Sequence, residues 1–133
     1  MDNLKPQVAP IVIGGGIAVL LFDAVGSLVS KQLGFSYALI IPGSLLIYGT
    51  VAALVARRRD WLLGLLAALA MGLTDLTAGW AVSWFIGAGK PEGGFTFMTV
   101  VGAVMTVSVL GALAGAVGAW IGIRSTRHSA PAA

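Results

Sequence analysis

Residues 61–87 read WLLGLLAALAMGLTDLTAGWAVSWFIG, and this stretch decides the fold class. A helix needs about 20 predominantly apolar residues to cross the ~30 Å hydrocarbon core of a bilayer, and this run exceeds that length. It carries a single acid, Asp75, close to its middle. The stretch therefore predicts a membrane-spanning helix with a carboxyl group at the depth where lipid least tolerates charge.

The rest of the chain repeats the apolar pattern. Further apolar runs of spanning length cover roughly residues 9–30, 38–56 and 96–123. The 133 residues are 58% hydrophobic and only 10% charged, a composition with too little polar surface for a soluble globule. The first run is longer than the apolar core of a signal peptide, so we expect it to be retained as a helix.

Short connections between the runs predict the architecture. The four-residue segments 34–37 and 57–60 are too short for anything except antiparallel neighbours. We therefore expect an all-α, polytopic membrane protein in which residues 1–133 form a single transmembrane domain. Its four helices run up-down-up-down and are followed by a polar tail at 124–133.

Basic residues give an orientation. Only Lys31 and Lys90 lie on one side of the predicted bundle. The other side carries six basic residues: Lys5, Arg57, Arg58, Arg59, Arg124 and Arg127. Cytoplasmic loops carry the excess of Lys and Arg, so we expect both termini in the cytoplasm and a location in the inner (plasma) membrane of a prokaryote. The cluster Arg57, Arg58 and Arg59 orients the chain or attracts anionic lipid. Charges scattered over loop ends argue against a nucleic-acid partner.

Small residues predict which helix faces pack together. In lipid, close helix contacts are marked by glycine, alanine and serine rather than by hydrophobicity. On the third helix, spacings of three and four residues join Gly64, Ala68, Gly72, Asp75, Gly79 and Ser83. On the fourth helix the corresponding stripe is Ser108, Gly111, Gly115, Gly118 and Gly122. The first helix carries a second acid, Asp23, on one face with Gly16, Ser27 and Ser30.

Both acids are thus expected to face protein, and two interpretations of them remain open. In the first, the acids are polar groups that hold helices together, and each of their hydrogen bonds contributes about 0.6–2 kcal/mol to helix association. As an intramembrane ionisable site, Asp75, with Asp23 as its partner, binds a proton or another cation. The hydrogen-bond partners expected for Asp75 are Asp23 or the hydroxyls of Thr74, Thr77, Ser83, Thr99, Thr106 and Ser108. Tyr48 is expected at the interface or on a packing seam.

Missing residue types exclude several kinds of chemistry. The chain has no cysteine and a single histidine, His128, in the predicted tail. Haem or quinone ligation by histidine within the membrane, thiolate chemistry and the common hydrolase motifs are therefore excluded. We expect no catalytic residues, no metal site, no cofactor and no enzymatic activity.

Two stretches carry a resemblance. IYGTVAALVARRRDWLLGLLAALAMG at 47–72 and LGALAGAVGAWIG at 110–122 resemble the uncharacterised small four-helix membrane proteins of bacteria and archaea, which are grouped as domains of unknown function. That resemblance implies a fold and no activity. The acid in the first helix, Asp23, is similar to the intramembrane acid with which small multidrug exporters exchange protons, but its surroundings differ.

Two functions follow as hypotheses. The abundance of packing stripes favours a protein that acts by helix-mediated association, as a homo-oligomer or as an accessory subunit of another membrane protein in the bilayer. The alternative is a small proton- or cation-coupled transporter or channel that uses Asp75 with Asp23. Four helices enclose little volume, so the alternative also requires an assembly of several chains.

Overall fold

The structure, a computed structural model, describes residues 5–90, 94 and 96–127. Within these ranges it contains helices and short connections but no strands, and four helical segments are long and apolar enough to cross a membrane: Val8–Leu33, Tyr37–Arg58, Trp61–Ile86 and Phe97–Ser125. The all-α class and four apolar helical segments of spanning length are therefore confirmed, with boundaries within a few residues of those expected.

The first two spans meet at a short, well-capped connection. Helix α1, Lys5–Leu33, ends at Gly34, whose left-handed φ of 71° lets its N–H donate to the Ser30 carbonyl at 2.9 Å. Glycine at this position satisfies a terminal carbonyl without a side-chain clash. A single 3₁₀ turn, Tyr37–Ile40, then leads into helix α2, Ile41–Arg58.

The third span is a helix interrupted by one wide turn. Helix α3, Trp61–Thr74, starts at Asp60, whose side chain accepts from the Leu63 N–H at 2.9 Å and so caps a free donor. A π-helical turn, Asp75–Gly79, follows and continues directly into helix α4, Trp80–Ile86.

The last span is the long helix α5, Phe97–Arg127. It runs beyond the predicted boundary at residue 123, so the first part of the expected tail is helical. Residues 128–133, which include His128, lie outside the described residues, as do residues 91–93 and 95 of the connection before α5.

Helices α2 and α3 form the centre of the bundle. Within the described ranges, α5 packs against both of them, and α1 packs against both and against α4. The core between them consists mostly of small side chains, and its largest members are Tyr48, Met71, Val19 and Val55.

The outer surface is apolar. Large hydrophobic side chains are exposed along every span, and Phe85, for example, is 92% exposed. Soluble monomers rarely show an apolar surface of this extent. The fold is therefore consistent with a membrane protein whose lipid-facing surface is as apolar as its core.

Candidate functional site: a pair of carboxyl groups between helices α1 and α3

Asp23 lies on the inner face of α1. It is 1% exposed and belongs to a buried row, at helical spacing, with Val19, Ser27 and Ser30. The hydroxyl of Tyr37, in the 3₁₀ turn before α2, donates to Asp23 Oδ1 at 3.0 Å. The predicted orientation of Asp23, toward protein rather than lipid, agrees with this burial.

Asp75 lies at the first position of the π turn. Its backbone carbonyl accepts from the N–H of Trp80, five residues on, which is the hydrogen bond that widens the turn. Its side chain is half-buried, and Oδ2 accepts a hydrogen bond from the hydroxyl of Tyr48 on α2. Single π turns within α-helices occur frequently at functional sites.

The two carboxyl groups meet beside Gly79, the last residue of the same turn. A Cβ atom added to Gly79 would lie 3.0 Å from Asp75 Oδ1 and 3.1 Å from Asp23 Cγ. Each distance is shorter than nearly all real Cβ contacts, so any larger residue would have to displace a carboxyl group. Glycine therefore makes the space that both acids share, and the two groups interact electrostatically across it.

One oxygen of the pair lacks a donor. Asp23 Oδ2 and the hydroxyl oxygen of Ser27 are buried and have no hydrogen-bond partner when both acids are taken as ionised. Buried polar atoms are nearly always satisfied, so such an atom calls for an explanation. An ionised carboxylate only accepts hydrogen bonds, whereas a protonated one also donates. A proton on either acid would supply the missing donor.

A cavity of about 220 Å³ adjoins the pair. Asp23, Tyr37, Ser44 and Asp75 contribute its polar lining, while Trp80 and apolar side chains of the 3₁₀ turn, the π turn, α2 and α5 form the rest of its wall. The share of volume of one liquid water molecule is about 30 Å³, so the cavity has room for water next to both carboxyl groups.

Three of the six hydroxyls expected to satisfy Asp75 are used elsewhere. Thr74, Thr77 and Ser83 donate to backbone carbonyls of their own helix, at 2.9, 2.6 and 2.9 Å. The two tyrosines take their place, and Tyr37 was not singled out by sequence at all. Tyr48 was expected on a seam and does lie on one, but its partner was not foreseen. The available signal was that Tyr37 and Tyr48 are the only phenolic hydroxyls in the chain.

The glycines singled out by spacing lie between helices of the same chain. Cβ atoms added to four of them would meet neighbouring backbone or small side chains at short distance, and these four are Gly64, Gly115, Gly118 and Gly122. Gly72 faces Val107, and Gly111 faces the ring of Tyr48. These glycines therefore lie at close contacts between helices of the same chain.

Basic groups lie away from the carboxyl pair. Lys31 donates to the Ile86 carbonyl at 2.9 Å, which ties the end of α1 to the end of α4. Arg57 and Arg58 are exposed in the last turn of α2, and Arg59 follows them half-buried. Over residues 5–90, 94 and 96–127 there is no cluster of three potential metal-binding side chains of the His, Cys, Asp or Glu type.

The chain was compared with known proteins. No protein-family model, curated protein or solved structure matches it, so its function has to be argued from the site itself.

Proposed function

We propose that this chain is a four-span membrane protein that binds and releases a proton at the Asp23–Asp75 pair and couples that event to the movement of a solute or ion across the membrane. The observation that carries the proposal is the meeting of two membrane-depth carboxyl groups beside Gly79, with Asp23 Oδ2 buried and lacking a donor.

Electrostatics supports a shared proton. Two like charges a few ångströms apart in a poorly polarisable interior repel by several kcal/mol at an effective dielectric constant near 20. No basic side chain contacts the pair among the hydrogen bonds of the described residues, and the donors present are two neutral phenols. One proton between the acids removes the repulsion and satisfies Asp23 Oδ2, as in other coupled carboxyl pairs.

The surroundings support reversible binding rather than a purely structural role. A structural hydrogen bond needs no water, whereas this pair borders a cavity large enough for several water molecules. The π turn adds backbone that departs from the regular helix at the same point. These two features support reversible proton binding at the pair.

Orientation and assembly complete the proposal. The contact between Lys31 and the Ile86 carbonyl is what the up-down-up-down order requires, because it puts the ends of the first and third spans at the same side. The excess of basic residues favours both termini in the cytoplasm of a prokaryotic cell, with the chain in the inner membrane. A cavity of about 220 Å³ is too small for a pathway through one chain, so transport requires an assembly.

Action by helix association alone is the second hypothesis from the sequence. Its support is the abundance of small-residue packing stripes, and among these the stripe on α5 contacts α2 and α3 of the same chain. Association as an accessory subunit therefore stays a prediction.

Infrared spectroscopy tests proton binding without knowledge of the substrate. The protein, reconstituted in phosphatidylcholine vesicles, is compared in acid and alkaline buffer, and the carbonyl stretch of a protonated carboxyl group is followed. We expect a band that titrates in the wild-type protein and is lost in Asp23→Asn and in Asp75→Asn. The matched control is Asp60→Asn, which alters the exposed cap of α3 and keeps its capping ability.

Flux measurements test the coupling. Vesicles that contain a pH-sensitive dye are given a gradient of Na⁺ or K⁺, and proton movement is followed. We expect movement with the wild-type protein and Asp60→Asn and none with Asp75→Asn, at an oligomer size unchanged by light scattering. A titrating band without flux under any gradient would contradict transport, and no titrating band at all would contradict the shared proton.

A further inference from the structure

A long groove runs along the outer surface between α2 and α5. Its volume is about 630 Å³, and it is nearly all apolar. Its floor is made of small residues because the two backbones touch there: Gly118 faces the backbone of Gly49, and Gly122 faces the backbone of Ala53. Larger side chains, Leu54 and Ile121 among them, form the two walls.

The groove has the depth of one lipid leaflet. On α2 it extends from Leu45 to Arg57, which at 1.5 Å per residue is about 18 Å. Half of a ~30 Å hydrocarbon core is about 15 Å. The one hydroxyl on the α2 wall, that of Thr50, donates to the Leu46 carbonyl at 2.7 Å, so its proton is already used within the helix. The lining thus suits a hydrocarbon chain, which needs no hydrogen bonds.

One end of the groove is basic. Arg57 lines it and is exposed, and Ser125 lies opposite on α5. Arg58 and Arg59 follow directly in the chain, and Arg124 precedes Ser125, where its guanidinium lies 3.9 Å from the centre of the Trp120 ring. A positive end at the mouth of an apolar groove matches a molecule with a negative head and an apolar tail.

We infer that this groove binds one anionic phospholipid, with an acyl chain along the floor of small residues and the phosphate at Arg57. The charge at the groove's end favours lipid over a second copy of the chain. In a symmetric dimer whose axis runs along the membrane normal, both copies of Arg57 would come together at the interface and repel. A lipid instead neutralises that charge.

Lipid binding is measured by native mass spectrometry of the detergent-solubilised chain with added phosphatidylglycerol or phosphatidylcholine. We expect one retained phosphatidylglycerol per chain and weaker retention of phosphatidylcholine. Arg57→Gln should weaken phosphatidylglycerol binding about fivefold, the factor that corresponds to about 1 kcal/mol for one basic residue near the membrane surface. The control Arg58→Gln removes the same charge one residue outside the groove lining and should bind as the wild type does.

A second pair of variants tests the groove itself. Thr50→Phe fills the groove and should reduce retention of phosphatidylglycerol, whereas Val109→Phe adds the same bulk to an exposed position of α5 outside the lining. Equal losses for Arg57→Gln and Arg58→Gln would show attraction to the arginine cluster alone and overturn the assignment. Equal retention of both lipids would do the same, and so would binding of soluble glycerol phosphate as strongly as of the lipid. Efficient disulfide crosslinking of two Leu54→Cys chains in vesicles would give the groove to a second copy instead.

Discussion

Replacing Gly118 by alanine tests how closely α2 and α5 approach. The added Cβ atom would lie 2.7 Å from the carbonyl carbon and 2.8 Å from the Cα of Gly49, and even closer to the carbonyl oxygen. Carbon atoms in favourable contact are about 3.5–4.0 Å apart, so the helices would have to separate by roughly 1 Å. All three obstacles are backbone atoms, which cannot rotate away as a side chain would.

The size of the effect follows from that separation. Gaps of 0.5–1 Å forfeit a quarter to a half of each dispersion contact across an interface, and overpacking of a well-packed core costs typically about 1–3 kcal/mol. We therefore expect Gly118→Ala to lower the free energy of unfolding by about 1–3 kcal/mol. The same substitution at Gly102, on the same helix, is the control because nothing lies within 4 Å of its added Cβ. Gly102→Ala should be neutral or stabilising by up to about 1 kcal/mol through helix propensity.

The assay is equilibrium unfolding in mixed micelles of a mild detergent and increasing dodecyl sulfate, followed by circular dichroism. The two variants share chain, helix and chemistry, so their difference isolates the contact with Gly49. If Gly118→Ala unfolds at the same or a higher fraction of dodecyl sulfate than Gly102→Ala, the close approach of α2 and α5 is wrong. The light-scattering size of Gly118→Ala should remain that of the wild type, because this glycine contacts its own chain.

Two further predictions concern the carboxyl pair. Tyr48→Phe removes the donor to Asp75 and should destabilise the protein by about 1–3 kcal/mol in the same unfolding assay. This loss should largely vanish when Asp75→Ala, which removes the acceptor, is already present, and additive effects would contradict a direct bond. Gly79→Ala places a methyl group between Asp23 and Asp75 and should shift or abolish the titrating infrared band, whereas Gly16→Ala, which meets only one atom at 4.0 Å, should leave the band unchanged.

The apolar helices could be predicted because the property that defines them, hydropathy, is local to consecutive residues. Insertion in a bilayer depends on the summed hydropathy of about 20 consecutive residues, a quantity that needs no tertiary information. The burial of Asp23 also follows from local pattern, since Ser27 and Ser30 mark its face as the packed one. What lies on a helix face is set by a period of 3.6 residues, and that period is visible in sequence.

The partners of the acids could not be predicted in the same way. Tyr37 and Tyr48 reach Asp23 and Asp75 from a different span, so their roles depend on the relative height of helices rather than on spacing. The π turn at Asp75–Gly79 produces no periodic pattern in the sequence from which it could be predicted. Threonine and serine hydroxyls were natural candidates, but in a helix they satisfy themselves on the preceding carbonyls.

The four spans are packed unevenly against one another. This packing determines where repulsion between Asp23 and Asp75 would act. Helices α2, α3 and α5 contact one another through glycine and alanine at backbone distance, and together they form the most closely packed part of the bundle. Helix α1 has less extensive contacts with these three helices, yet it holds Asp23 against the π turn. In the proposed function, loss of the shared proton would leave two negative charges facing each other between α1 and the π turn. The repulsion would therefore push α1 away from the π turn. We expect the backbone to bend at Gly34, where α1 ends.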